Sequence, residues 1–243
     1  MDESPGDWLR NGELAFQRGD FDLAFDLFSK AIEGDPGSTS AWLGRSLVRG
    51  QRSHYEKALE DISQALKLRP GDWRIHFNHA VLLSRMGMRA EALRAVDSAL
   101  KLNPSEVECR SARANLLYDL GEFRKALDEA SEILKLHPQE PLALHCKGAC
   151  LVELGYGDRA VETWSQLIEI QPRSALAYCH RARARLLNRN NAAAFVDLEK
   201  VLELDPHHAE AFLVRAQANR QVGDCEQAEL DETTARMLKG GKE

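Results

Sequence analysis

Apolar residues recur along the chain three and four positions apart, as in Leu93, Val96 and Leu100, which is the spacing of one face of a helix. The pattern itself returns. The run "AIEGDP" ending at Pro36 is echoed by "ALKLRP" at Pro70, "ALKLNP" at Pro104, "ILKLHP" at Pro138, "LIEIQP" at Pro172 and "VLELDP" at Pro206, each 34 residues after the last. A period that strict, with no insertion or deletion, is the signature of a stacked-repeat protein.

Numbering each unit 1 to 34, with the closing proline at place 32, gives seven units that begin at Pro5, Thr39, Trp73, Val107, Pro141, Ala175 and Ala209. Place 20 is alanine in every unit: Ala24, Ala58, Ala92, Ala126, Ala160, Ala194 and Ala228. Place 8 is always small: Gly12, Ser46, Ala80, Ala114, Gly148, Ala182 and Ala216. Place 15 is glycine in five units, where a helix needs its terminating turn. Each unit therefore reads as helix, tight turn, helix, then a proline-marked turn into the next. The small residues allow two helices to approach closely where they cross.

This pattern resembles the tetratricopeptide repeat family. The fourth unit carries the match most fully, as "ARANLLYDLGEFRKALDEASEILKLHP", with Ala114, the turn "LGEF", Ala126 and Pro138. The resemblance implies an all-α fold, a right-handed superhelical solenoid of seven helix-turn-helix repeats forming one domain over 1–243. The repeats run 5–38, 39–72, 73–106, 107–140, 141–174, 175–208 and 209–241. Two departures are local. The sixth unit has "NRNN" from Asn188 to Asn191 at the turn, which predicts a looser connection, and the seventh lacks the closing proline and ends in "KGGKE". Glu229 and Glu232 stand where earlier units have Phe25 and Phe28, so the last helix is expected to act as a polar C-terminal cap that ends the array.

Composition narrows the function by exclusion. The net charge of −6 argues against nucleic acid as the main partner, and the acidic, proline-closed units favour the protein-binding branch of such repeats over the RNA-binding one. The opening "MDESPGDWLR" is not a secretory leader and no stretch is long and apolar enough for a membrane span, so a cytoplasmic protein, or a fragment of a larger chain, is expected. Five irregularly spaced cysteines suit a reducing compartment rather than a disulfide framework. There is no glycine-rich phosphate loop, HExxH or GxSxG, so no enzymatic activity and no cofactor are expected.

Two clusters invite a functional reading. Place 7 is basic in six units: Arg45, His79, Arg113, Lys147, Arg181 and Arg215. Wherever it is arginine, place 23 is acidic (Asp61, Glu129, Asp197, Asp231), and where it is not, place 23 is Leu27, Ala95 or Thr163. A helical hairpin sets these places level, so an ion pair within each repeat is expected in preference to an anion-binding ladder. Cys146, Cys150, Cys179 and His180 form a weak candidate ligand set for a soft metal such as zinc, without the spacing of a known site.

In the family, places 2, 5, 9 and 12 of each first helix face a concave groove. The resemblance thus implies a peptide-binding groove lined by Leu9, Phe16, Leu43, Leu47, Phe77, Asn78, Val81, Ser111, Asn115, Tyr118, His145, Cys179, His180 and Arg183. The first three units offer an apolar strip, and the later ones are mixed. The clamp by which some members hold a carboxylate terminus is missing, since only Asn78 and Asn115 match it and neither has the basic partners. The expectation is a non-enzymatic scaffold that binds a protein or peptide with apolar side chains, as a monomer or weak homodimer, with neither nucleic acid nor membrane as partner. The alternatives are a self-association module through the apolar strip and a regulatory arm of a larger enzyme.

Overall fold

The computed structural model of the chain describes residues 4–240, which form fourteen α-helices and, among those residues, no strand. The last three positions of the final repeat's "KGGKE" lie outside the described residues. The helices divide between two compact units, one ending at Leu120 and the other beginning at Gly121. The boundary falls inside the fourth repeat, between its two helices.

The first unit holds α1 (Pro5–Gln17), α2 (Phe21–Gly34), α3 (Thr39–Gln51), α4 (Tyr55–Leu68), α5 (Trp73–Arg85), α6 (Arg89–Leu102) and α7 (Val107–Asp119). Each helix packs on the one before it, and the first helices of successive repeats also touch, α1 on α3 and α3 on α5. The second unit holds α8 (Phe123–Leu136), α9 (Pro141–Glu153), α10 (Gly157–Ile170), α11 (Ala175–Leu187), α12 (Asn191–Leu204), α13 (Ala209–Val222) and α14 (Cys225–Gly240). Its packing follows the same rule, with α9 on α11 and α11 on α13.

Local chemistry starts and stops these helices. Ser4 opens α1 with a capping box, its hydroxyl accepting from the Asp7 N–H while the Asp7 carboxylate accepts from the Ser4 N–H at 2.9 Å. Asp20, Ser38, Asp72, Ser174 and Asn190 cap other helices by side-chain acceptance from the first turn. Between paired helices the residue at place 15 takes a left-handed conformation, at Gly19, Gly87, Gly121, Gly155 and Gly223, with φ between 77° and 86°. Ser53 and Arg189 occupy this place in the remaining two repeats and adopt the same conformation, at φ 59° and 55°.

The sixth-repeat turn is therefore not looser. The Asn190 N–H donates to the Arg185 carbonyl at 3.0 Å, as the Met88 N–H does to Leu83 at 2.9 Å in the third repeat. The hydrogen bonds that close the turn hold a non-glycine residue in a region it disfavours.

All seven place-20 alanines are fully buried, at 0% exposure, which is what a close helix crossing requires. Larger side chains at place 24 fill the space beside them: Phe28, Ile62, Val96, Trp164 and Leu198 are each at most 2% exposed. At the final repeat this place is Glu232, which pairs with Arg220 at 2.6 Å, and Glu229 is exposed.

Candidate functional site

Arg45, Arg181 and Arg215, three of the basic residues at place 7, are structural. Asp61 accepts from Arg45 at 2.8 and 3.1 Å, Asp197 from Arg181 at 2.7 and 3.0 Å, and Asp231 from Arg215 at 2.7 and 3.0 Å. These carboxylates are buried, each no more than 2% exposed. A second donor at place 11 completes each site: Arg49 on Asp61 at 2.8 Å, Arg185 on Asp197 at 2.7 Å, and Asn219 on Asp231 at 3.1 Å. Each place-7 guanidinium also lies over an aromatic ring at place 4, that of Trp42, Tyr178 or Phe212. Arg45 and Arg181 reach back to Ser29 and Ser165 of the preceding repeat, and Arg113 to Asp97 at 3.0 Å. Glu129, the fourth acidic residue of this pattern, lies on α8 in the other unit. With their donors committed to protein acceptors, Arg45, Arg181 and Arg215 do not form an anion ladder.

The apolar strip of the first unit lines two cavities. One, of about 260 Å³, lies among α1, α2 and α3 and is walled by Glu13, Phe16, Gln17, Phe28, Ser40, Leu43, Gly44 and Leu47. The other, of about 230 Å³, lies among α5, α6 and α7 and is walled by Phe77, Ala80, Val81, Ser84, Arg85, Val96, Ala112, Asn115, Leu116 and Asp119. They occupy equivalent places in the repeat. Each is bounded by places 9, 12 and 13 of one first helix, by place 24 of its partner helix, and by places 6 and 9 of the next first helix.

Small residues at place 6, Gly44 and Ala112, leave these cavities open. A Cβ at Gly44 would stand 2.5 Å from the Phe28 ring, so no other residue fits there without moving the cavity wall. The intervening repeat carries Asn78 at this place, and its amide donates to the Arg74 carbonyl at 2.8 Å.

Of the residues expected to bind, Phe16, Leu43, Leu47, Phe77, Val81 and Asn115 line these cavities. Leu9 and Tyr118 are half-buried on the same helices, outside the cavity walls. Ser111 is 1% exposed, and its hydroxyl finds no hydrogen-bond partner among the described residues. Among the wall residues, Gly44, Arg85, Ala112 and Asp119 lie outside the places that repeat register singled out. The only sequence signal for them is the small residue at place 6 in alternate repeats.

In the second unit the expected residues are engaged with one another. The His180 ring stacks on Trp164 at 4.7 Å and 18°, and His145 meets the same indole edge-on at 5.1 Å. Burial holds the His180 imidazole down to about 4 and lowers that of His145, so both rings are neutral near pH 7. Arg183 pairs with Glu210. Cys179 is 1% exposed in the core beside Leu186 and Leu198, and burial pushes its thiol up to about 12. Cys146 and Cys150 approach to 4.0 Å, but among the described residues no group of three or more His, Cys, Asp or Glu is placed to hold a metal ion. The candidate zinc ligands therefore do not assemble.

A helix pair that repeats every 34 residues and buries an alanine at place 20 of each repeat is the fold of tetratricopeptide repeat proteins. Residues 77–141 match the tetratricopeptide repeat model, which bears out the resemblance read from the sequence. The same fold is found in a tetratricopeptide repeat protein from Parabacteroides merdae, with a TM-score of 0.79 and 21% identity over 98% of this chain and 94% of that one. Pseudomonas aeruginosa pilF superposes with a TM-score of 0.77 at 18% identity, covering 88% of this chain and 97% of that one. YrrB, a repeat protein of this kind described as having an unusual peptide-binding site, gives 0.63 at 21% identity over 77% of this chain and 97% of its own. No curated protein matches the chain. Among the described residues no helix is long and apolar enough to cross a membrane.

Proposed function

We propose that the chain is a non-enzymatic scaffold whose first-helix face in the first unit binds a protein or peptide segment bearing large apolar side chains. One observation carries this reading: Phe16, Leu43, Leu47, Phe77, Val81 and Asn115, six of the residues the repeat register assigns to a groove, line two cavities, each large enough for an apolar side chain. The peptide-binding site of YrrB, on the same fold, supports it by analogy. Burial of the seated side chains supplies most of the affinity, at about 25 cal/mol per Å² of apolar surface removed from water.

The test uses the full chain and a partner identified by pull-down and mass spectrometry. Leu43→Asp with Phe77→Asp places a carboxylate at each cavity wall and is expected to abolish binding while circular dichroism reports an intact helix content. Arg183→Gln, in the second unit, is expected to leave binding within about twofold. Affinity is expected to fall only slightly between low and moderate salt, since screening acts on charges and not on apolar contacts. A partner that still binds the double variant refutes the proposal. A mass that rises with concentration in light scattering, and stops rising in the double variant, assigns the face to self-association instead.

A further inference from the structure

The two cavities recur at the same repeat place two units apart, and that recurrence sets a register for whatever enters them. Resting on the reading of this face as a binding site, we infer that its occupant is an extended segment with two large apolar side chains six residues apart, one seated in each cavity. Adjacent packed helices stand about 8–10 Å apart, so two steps along the first helices of the unit span about 16–20 Å. An extended chain advances about 3.3 Å per residue and alternates its side chains between faces. The interval must then be even, and six residues, about 20 Å, meets the span where four fall short. A helical segment would need about eleven to thirteen residues for the same distance.

The polar groups of the cavities favour the extended form. Gln17 and Ser40 at the first, with Ser84 and Asn115 at the second, offer donors and acceptors beside each apolar floor. An extended backbone has N–H and C=O groups that need such partners, whereas a helix satisfies its own. Charge adds a polarity. Glu13 on the wall of the first cavity and Arg85 on that of the second make no ion pair among the described residues, while Asp119, also on the second wall, is offset by Arg89 at 3.8 Å. A basic residue beside one anchor and an acidic residue beside the other complement them.

The probes are short synthetic peptides of glycine, serine and threonine carrying two leucines, with the interval stepped from about three to about thirteen residues, titrated by fluorescence anisotropy against the full chain. One flank carries lysine and the other glutamate. Affinity is expected to peak at an interval of six, at least about tenfold above a single-leucine peptide, because the second anchor binds intramolecularly. Flanks of like charge are expected to lower it about two- to fivefold.

Ala112→Leu fills the second cavity and Ser40→Leu the first. Either variant, shown folded by circular dichroism, should abolish the peak and reduce the two-leucine peptide to the affinity of the single-leucine one. Binding that does not depend on the interval, or a maximum at about eleven to thirteen, overturns this register while the reading of an apolar binding face stands. Absence of binding by every peptide also overturns it, and the face itself is then judged by the natural partner and the Leu43→Asp, Phe77→Asp variant.

Discussion

Replacing Asp197 with alanine probes the device that locks the sixth repeat. The carboxylate is 2% exposed and takes three charged hydrogen bonds, two from Arg181 at 2.7 and 3.0 Å and one from Arg185 at 2.7 Å. Without it two guanidiniums, 15% and 20% exposed, face each other over a small void. Removing one partner of a buried ion pair costs about 3–5 kcal/mol. Arg181 keeps its bond to Ser165 and its position over Tyr178, and Arg185 keeps its bond to the Ala193 carbonyl, so the loss should sit at the lower end, about 3 kcal/mol.

Arg181→Ala leaves Asp197 one arginine and should lose less, about 2 kcal/mol. The double variant should then fall short of the sum by about 1 kcal/mol or more. Urea unfolding followed by circular dichroism supplies the totals. Hydrogen exchange on α11 and α12 places the loss, because a repeat array can open by parts. A loss for Asp197→Ala below about 1 kcal/mol, or losses that add, would refute the claim that the place-7 and place-23 residues form a coupled buried site.

Two further outcomes are expected. His180 titrates near 6.5 when unfolded and near 4 in the fold, where it faces His145, Arg183, His208 and Glu210 as well as Trp164. Above pH 6.5 the ring is neutral in both states and has no effect. As pH falls from 6.5 towards 4, only the unfolded chain takes up the proton, so stability declines by up to about 1.4 kcal/mol per pH unit. His180→Gln should flatten the pH dependence of the urea midpoint between pH 7 and 4.5, and an unchanged slope would show that the ring is not held neutral. Arg189→Gly should raise stability by about 0.5–1 kcal/mol, since left-handed strain of about 1–2 kcal/mol is relieved against the greater entropy of unfolded glycine. A lower urea midpoint for this variant would show that the Arg189 backbone is unstrained.

Much of the architecture was legible in residue spacing. The helices, the place-20 alanines and the left-handed turns follow from short-range rules about period, volume and φ, and a strict 34-residue repeat applies each rule seven times over. The pairing of Arg45, Arg181 and Arg215 with Asp61, Asp197 and Asp231 was legible too, because the partners vary together within one chain and a hairpin sets them level. Tertiary structure decided the rest. The second donors, Arg49 and Arg185, depend on how the two helices of one repeat cross, and the back-reaching bonds to Ser29 and Ser165 on how one helix pair is rotated against the next. That rotation also buried Ser111 and Cys179 and turned His145 and His180 onto Trp164. The two cavities were least visible of all. A cavity is a difference between the volume enclosed by three helices and the volume their side chains fill, so a glycine at position 44 and an alanine at 112 matter only once Phe28 and Val96 are in place beneath them.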